Sequence, residues 1–588
     1  MYKSTCKTNQ NNHITNERKA EQNALTKPKL PQIQSARAQG SDRKRVVNIR
    51  QKTYTSSNLR INDKTASHTG IIEDIQRRIG MNDTSSPSDL YIVNIIDLTQ
   101  EGQGVARIET TDGDEKRGLT VFCDQLLPDE KAEIRLIHSK KKFAQGTCVN
   151  IITPSPDRIK PACHEYEACG GCTLGNIQYD KELLYKRKHI LSCLTRIGRQ
   201  DPAQIQEKTR EVIGMEDPVH YRNHMQYPVS ETAQKEERDL KIGLYAKKTH
   251  TVVPLQTCLI AHSACETIRR ATISFLLETK VYGYDEEEQE GYLRHLIVRV
   301  GVNTGEIMVV LVAYARPEEP VPFSMEAYTN ALSRALAEEQ TAENAHTNKP
   351  TQTAHTWRLR SVWLNCNPTG TRQGQTVSYR KENLVHLWGD TFITERLGPN
   401  YYVISPLSFF QVNTAQAEKL YDVIRALALE GTTKRRTLLD LYCGTGTIGL
   451  HLARDFGRVI GVESNESAIR DARQNAEKNN YQSARFHVAK AEDIPLDALP
   501  KDIDCIIIDP PRTGCDPALL AKIRTLAPGT LIYVSCDPAT LARDLVQLAS
   551  GEKPAYAIKA IQPVDLFGRT GHVECVILMQ RSGLKDEK

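Results

Sequence analysis

The sequence predicts an α/β chain whose last third is a mostly parallel sheet built to hold a nucleoside. Three observations carry this. First, the apolar run 438–441 ends in Tyr442-Cys443-Gly444-Thr445-Gly446, and a helical pattern follows from Thr447 to Ala453. That is a strand, a tight turn and a helix, with glycines that let the backbone bend and a ligand approach closely. Second, the next strand, 458–462, ends in Glu463, where a carboxylate suits the two hydroxyls of a ribose. Third, the apolar strands 505–508 and 531–534 close in polar turns, Asp509-Pro510-Pro511-Arg512 and Ser535-Cys536-Asp537-Pro538. Open α/β sheets bind ligands at such carboxyl ends. The glycine pattern alone fits a dinucleotide equally well; the later turns narrow it.

The chain has 588 residues, enough for about three domains. No apolar run is long enough for a transmembrane helix, and the amino terminus lacks an apolar signal core. A cytoplasmic chain without membrane association is expected. Its fifteen cysteines then read as reduced thiols, metal ligands or a nucleophile. Residues 1–80 carry 16 Lys and Arg against 6 Asp and Glu, whereas the whole chain nets only +5. That polar, basic stretch cannot bury enough apolar surface to order itself, so 1–84 is expected to be a disordered tail. It suits electrostatic contact with RNA, and equally a solvated extension.

Residues 85–155 alternate short strands with turns, around Gly102-Gln103-Gly104-Val105-Ala106. Lys140-Lys141-Lys142-Phe143 sets three cations beside a ring, a combination small RNA-binding barrels use. Next comes Cys163-x5-Cys169-Gly170-Gly171-Cys172, in which the glycines allow backbone amides to turn toward sulfur. Thiolate sets hold zinc or an iron–sulfur centre, each needing about four ligands. Cys193, Cys258 and Cys265 are the nearby candidates for the fourth, and spacing does not choose between metals. The first gap differs from the Cys-x3-Cys-x2-Cys of radical enzymes. Cys193 falls within an amphipathic helix pattern and reads as core.

The region 156–395 is strand-rich, with a hairpin through Asn303-Thr304-Gly305 and a polar run, 338–356, expected to be a flexible insertion. Arg222, Lys247, Arg294 and His295 are candidates for an RNA groove, though each singly is more often a surface charge. The last domain, 396–588, opens with Ser405-Pro406-Leu407-Ser408-Phe409-Phe410-Gln411-Val412-Asn413, its phenylalanines reading as core. It ends in the strand entered by Gly571-His572-Val573-Glu574-Cys575.

Together, the glycine turn, Asp509-Pro-Pro-Arg512, Ser535-Cys-Asp-Pro538 and His572-Val-Glu574 closely resemble the uracil-5 RNA methyltransferase family, over roughly residues 88–580. The resemblance implies a class I (Rossmann-like) S-adenosylmethionine-dependent methyltransferase domain, an OB-like TRAM barrel before it, and a central α+β domain. It implies a cofactor pocket lined by Gln411, Tyr442, Glu463 and Asp509. It also implies a [4Fe-4S] cluster on Cys163, Cys169, Cys172 and Cys258. Barrel plus cysteines look like the branch acting on 23S rRNA, as a monomer; the alternatives are tRNA, or a non-catalytic RNA-binding or assembly factor. Uracil carbon 5 is a poor nucleophile until a thiolate adds at carbon 6, and a base must then remove the carbon 5 proton. Cys536, ahead of a predicted helix start that lowers thiol pKa, fits the first role. Glu574 fits the second.

Overall fold

A computed structural model describes residues 90–109, 116–232, 238–346, 356–368, 381–495, 497 and 499–583. The basic tail expected over 1–84 lies outside them. Strands β1 (Leu90–Leu98), β2 (Gln103–Arg107), β3 (Thr120–Asp124), β4 (Lys131–Ser139) and β5 (Phe143–Thr153) close a barrel in the order β1-β2-β3-β5-β4. Alternate residues, among them Val93, Ile95, Val121, Cys123, Ala132 and Ile134, fill its interior, the period of two that pleated strands impose. The Lys140 ammonium lies 5.4 Å over the Phe143 ring.

The cysteine loop then leads into helices α1 (Tyr179–Arg196) and α2 (Pro202–Lys208). The apolar stripe of α1, including Ile190 and Leu194, joins the core that holds Leu531, Tyr533, Leu541 and Leu545, and Thr209 bridges to Ile561. This segment therefore covers the last domain's sheet and leaves the central region to which the sequence assigned it. An amphipathic stripe shows that a helix needs an apolar partner but does not say which one.

The central sheet comprises β6 (His224–Ser230), β7 (Lys241–Tyr245), β8 (Val252–Pro254), β9 (Leu293–Gly301), β10 (Glu306–Ala313), β11 (Arg358–Cys366) and β12 (Leu384–Gly389), in the order β12-β11-β10-β9-β6-β7-β8. Helices α3 (Ser263–Thr279) and α4 (Met325–His346) cover one face. Ile297, Met308, Val310 and Val312 turn the other way, into the core of the last domain. The run expected as a flexible insertion from 338 begins inside α4. Tyr328, Leu332 and Leu336 are the buried stripe of that helix, so Glu338 and Glu339 are its solvated face. Residues 347–355 of that run lie outside the described residues.

The last domain opens with the hairpin β13 (Ile393–Leu397) and β14 (Asn400–Ile404), then α5 (Thr414–Gly431). Its sheet and helices follow as β15 (Thr437–Leu441), α6 (Thr447–His451), β16 (Arg458–Glu463), α7 (Glu466–Lys478), β17 (Ala484–Val488), β18 (Ile503–Ile508), α8 (Pro517–Leu526), β19 (Thr530–Ser535), α9 (Pro538–Ala549), β20 (Tyr556–Val564) and β21 (Glu574–Arg581). The strand order is β17-β16-β15-β18-β19-β21-β20, with β21 antiparallel to both neighbours. Every residue of β15 and β19 is buried, as parallel strands covered on both faces require. Successive residues alternate between the two faces: Leu438 and Ile507 enter one core, Leu439 and Ile506 the other. Among the described residues no helix is long and apolar enough to cross a membrane.

Candidate active site and cysteine pocket

Strand direction brings the candidate residues together. Because β15, β16, β18 and β19 run parallel, their carboxyl ends share one edge of the sheet. Tyr442, Glu463, Asp509 and Cys536 sit there. Glu574 begins a strand instead of ending one, yet β21 is antiparallel to β19 and pairs Cys575 with Ser535. That register carries Glu574 to the same edge, where its charge acts on Cys536.

The electrostatics confirm the proximity. Burial, the Glu574 carboxylate and Asp509 push the Cys536 thiol up to about 11, while the nearby Arg512 guanidinium opposes them. Glu574 is pushed up to about 8 by burial and by Asp509, with Arg512 again opposing. Asp509, half-buried at the end of β18, is raised to about 7 by its removal from water. The expectation that a helix start lowers the Cys536 thiol is therefore corrected. Asp537 caps α9, its Oδ1 accepting from the Ala539 and Thr540 amides at 3.0 and 2.9 Å. The helix's positive end is thus already answered by a carboxylate, and the thiol faces two more. Arg512 is the neighbour of Cys536 and Glu574 that the sequence reading missed: it appeared only as the end of a motif, and a lone cation in a loop carries no periodicity to mark it.

At the glycine turn, Tyr442 adopts φ 62°, a left-handed conformation costly for a residue with a β-carbon. It ends β15 abruptly, and its side chain lines a cavity with Glu492, Pro511 and Cys515. Gly444 (φ 52°) has open space where a β-carbon would stand, so a ligand can lie against its backbone. Asp440 beneath it accepts from the Gly449 amide at 2.9 Å. Its Oδ1 is buried without a partner among the described residues, and burial lifts the group to about 8. Glu463 accepts from the Asn465 amide at 2.8 Å, which fixes its carboxylate at the end of β16. The Gln411 carbonyl accepts from Asn223 Nδ2 at 3.1 Å, anchoring that loop to the central region. An open glycine backbone, an unanswered buried acid and a fixed carboxylate at the next strand suit an adenosyl group with a cationic sulfur.

Phe410 is core as expected, but Phe409 is 71% exposed. Arg294 and His295 do not line an open groove. Arg294 is buried with its guanidinium 4.7 Å over the Tyr284 ring, and burial holds His295 down at about 4.

Cys163, Cys169, Cys172 and Cys258 line a single cavity of about 110 Å³, whose other walls include Ile159, Tyr166, Leu244, Leu255 and Ile260. The Gly171 amide points at Cys169 Sγ, 3.3 Å away, as the paired glycines suggested. Burial and the neighbouring carboxylate of Glu266 raise Cys258 to about 12, and burial takes Cys163 to about 11. Four sulfurs in an apolar hollow favour either protons or metal cations. Among the described residues no group of three or more His, Cys, Asp or Glu converges closely enough to hold a single metal ion. Cys193 lies instead in the core against α9.

Comparison with known proteins agrees with this geometry. A family model described as tRNA (Uracil-5-)-methyltransferase matches residues 358–582. An uncharacterised RNA methyltransferase of Halalkalibacterium halodurans is 36% identical over 496 residues, 84% of this chain and 97% of the relative. One from Clostridium tetani is 36% identical over 85% of this chain and 98% of its own length. Among solved structures, the tRNA (uracil-54, C5)-methyltransferase of Pyrococcus abyssi in complex with S-adenosyl-L-homocysteine aligns with a TM-score of 0.60. It shares 26% identity and covers 83% of this chain and 99% of that one.

Proposed function

This chain belongs to the uracil-5 RNA methyltransferase family, and from that premise we propose that it methylates carbon 5 of a uridine in 23S rRNA, through Cys536 and Glu574. The observation that carries the mechanism is the Ser535–Cys575 pairing, with the nucleophile candidate at one strand's end and the base candidate at the next strand's start. S-adenosylmethionine supplies an electrophilic methyl group when bound, with Tyr442, Glu463, Gln411 and Asp509 the residues to hold it. The chain's own residues do the rest. The Cys536 thiol gives its proton to solvent, and the thiolate, favoured by the positive charge of nearby Arg512, adds through sulfur to uracil carbon 6. Negative charge then develops at carbon 5, where the methyl group is received. Glu574 takes the carbon 5 proton, the carbon 5–carbon 6 double bond re-forms, and the thiolate leaves. The target base is flipped out of folded RNA to reach this edge.

The rRNA assignment rests on the barrel and the four-cysteine cavity standing in one chain. We take the cavity to hold a [4Fe-4S] cluster, since a cubane is bound at separated corners and does not require its ligands to meet at one point, as a single ion does. Its role is structural. A second reading, the same chemistry on tRNA, is favoured by the Pyrococcus abyssi likeness. The test is methyl-labelled S-adenosylmethionine with undermodified total RNA, resolved into 23S, 16S and tRNA. Label as 5-methyluridine in 23S rRNA is expected. Label in tRNA alone keeps the chemistry and overturns the substrate; no label from folded protein overturns the enzyme reading in favour of a binding factor.

A further inference from the structure

Residues 565–573 run from the end of β20 to Glu574 and are gripped from four directions. From α1, Lys186 Nζ donates to Asp565 Oδ1 and Glu182 Oε1, both at 2.7 Å, and to the Phe567 carbonyl at 3.2 Å. The Arg569 amide donates to the same Glu182 Oε1 at 2.9 Å. From the cysteine loop, the Thr173 and Leu174 amides, which follow Cys172 directly, donate to the Arg569 carbonyl at 3.0 and 2.9 Å. Arg569 also lines the four-cysteine cavity. From the central region, Tyr221 donates its hydroxyl to the Gly568 carbonyl at 2.9 Å. From the barrel, the β1–β2 turn brings Gln100 Nε2 to 3.4 Å from His572 Nδ1. The Gln100 carbonyl packs so tightly on Gly571 that a β-carbon there would lie 1.8 Å from it.

Two features show that this grip is expensive. Glu182, Lys186 and Asp565 are all but fully buried, and removing such charges from water costs more than their attraction usually returns. Arg569 is held at φ 68°, a strained conformation that persists only where its surroundings over-determine it. Neither feature is needed to join two neighbouring strands. Both lie directly ahead of Glu574.

We propose that residues 565–573 form a positioning strap through which the barrel turn and the cysteine loop set the placement of Glu574. The barrel thereby acts on proton removal as well as on RNA capture. This rests on the reading of Glu574 as the base. In the affected step the carbon 5 proton passes to the Glu574 carboxylate. The electrons of that C–H bond form the carbon 5–carbon 6 double bond, and the carbon 6–sulfur bond breaks to release the Cys536 thiolate. Carbon–sulfur bond formation and methyl receipt precede this and use Cys536 and the glycine-turn edge. A displaced strap therefore uncouples release from methylation, which a merely loosened fold does not do.

The test compares full-length Gly571→Ala, Gln100→Ala and Glu574→Gln with the parent, using methyl-labelled S-adenosylmethionine and undermodified total RNA. Label in free RNA is separated from label in denaturant-stable protein–RNA adduct. Gly571→Ala should methylate at near the parent rate but release roughly 10- to 100-fold more slowly, the scale of an ångström's misplacement. Labelled adduct then accumulates. Gln100→Ala should move the same way by a few-fold, and decides the matter if Gly571→Ala does not melt cooperatively. Methylation and release falling together, or neither changing, while Glu574→Gln accumulates adduct, overturns the strap and leaves the base assignment standing. Absence of adduct in Glu574→Gln overturns the base assignment, and the strap with it.

Discussion

Two regions of the molecule gather cysteines, and they are built on opposite terms. Cys163, Cys169, Cys172 and Cys258 line one cavity with mostly apolar walls. Burial raises every one of these thiols, and the neighbouring sulfurs raise Cys172 further. Such a pocket holds four thiolates only if cations replace the protons. At the sheet edge a single thiol, Cys536, faces Arg512 and two carboxylates, so its charge is adjusted by side chains and stays available for bond formation. Burial is common to both sites and does not tell a ligand from a nucleophile; the neighbours do. On the proposed reading, the cysteines that share a cavity are ligands, and the one beside a cation and a base is the nucleophile.

The sharpest way to break this contrast is Cys536→Ala. It should abolish methyl transfer while leaving RNA binding, measured by filter retention, within a few-fold of the parent; retained turnover removes the nucleophile. Next, Glu574→Gln should lower multiple turnover by roughly 10²- to 10⁴-fold, the usual worth of a positioned base, and trap the protein on RNA as a band stable in denaturing gels. Rapid release of free enzyme counts against the base. Third, Cys169→Ser should bleach the visible absorbance of aerobically shielded protein and remove bound iron. An unchanged spectrum, or zinc in the metal analysis, assigns the cavity differently. Removing the cluster with a chelator should leave the Cys536 chemistry slowed but present, because the two sulfur sites are separate.

The smallest effect concerns stability. Glu574 is held at about 8 in the fold, above its ordinary value of 4.5. A raised carboxyl contributes stability that is full below the unfolded value and is lost as pH climbs through the folded one. Glu574→Gln should therefore melt a few degrees above the parent at pH 9, with the gap closing by pH 4. A gap of the opposite sign, or one independent of pH, contradicts the buried-carboxyl picture.

The fold of the last domain was legible because parallel strands buried on both faces appear as unbroken apolar runs, as at 505–508 and 531–534, and glycine turns mark their ends. The sharing of one cavity by Cys163, Cys169, Cys172 and Cys258 was legible once a family pattern named Cys258, which spacing had left among three candidates. Other features were not legible, for identifiable reasons. The partner of α1 depends on tertiary packing that puts Leu194 in one core with Leu541 and Leu545, which no local pattern encodes. Phe409 and Phe410 form an apolar doublet of which only Phe410 is buried. The surface of α4 reads as low complexity because a solvated helix face and a loop share a composition; Glu339 is in fact paired with Arg270 at 3.0 Å. Arg512 escaped because a single loop cation acts by position alone.

The antiparallel seating of β21 has an evolutionary corollary. The distance between Cys536 and Glu574 is measured in hydrogen-bond register, not in loop length. A residue inserted between α9 and β20 can be absorbed by the connecting turn, whereas one inserted within β19 or β21 shifts the register that seats Cys536 and Glu574 at one edge. Lineages of this protein should therefore vary freely in the length of the α9–β20 connection and hardly at all within these two strands. The proposed catalytic pair is inherited as a frame, and single-residue insertions or deletions within its two strands are the changes expected to destroy it.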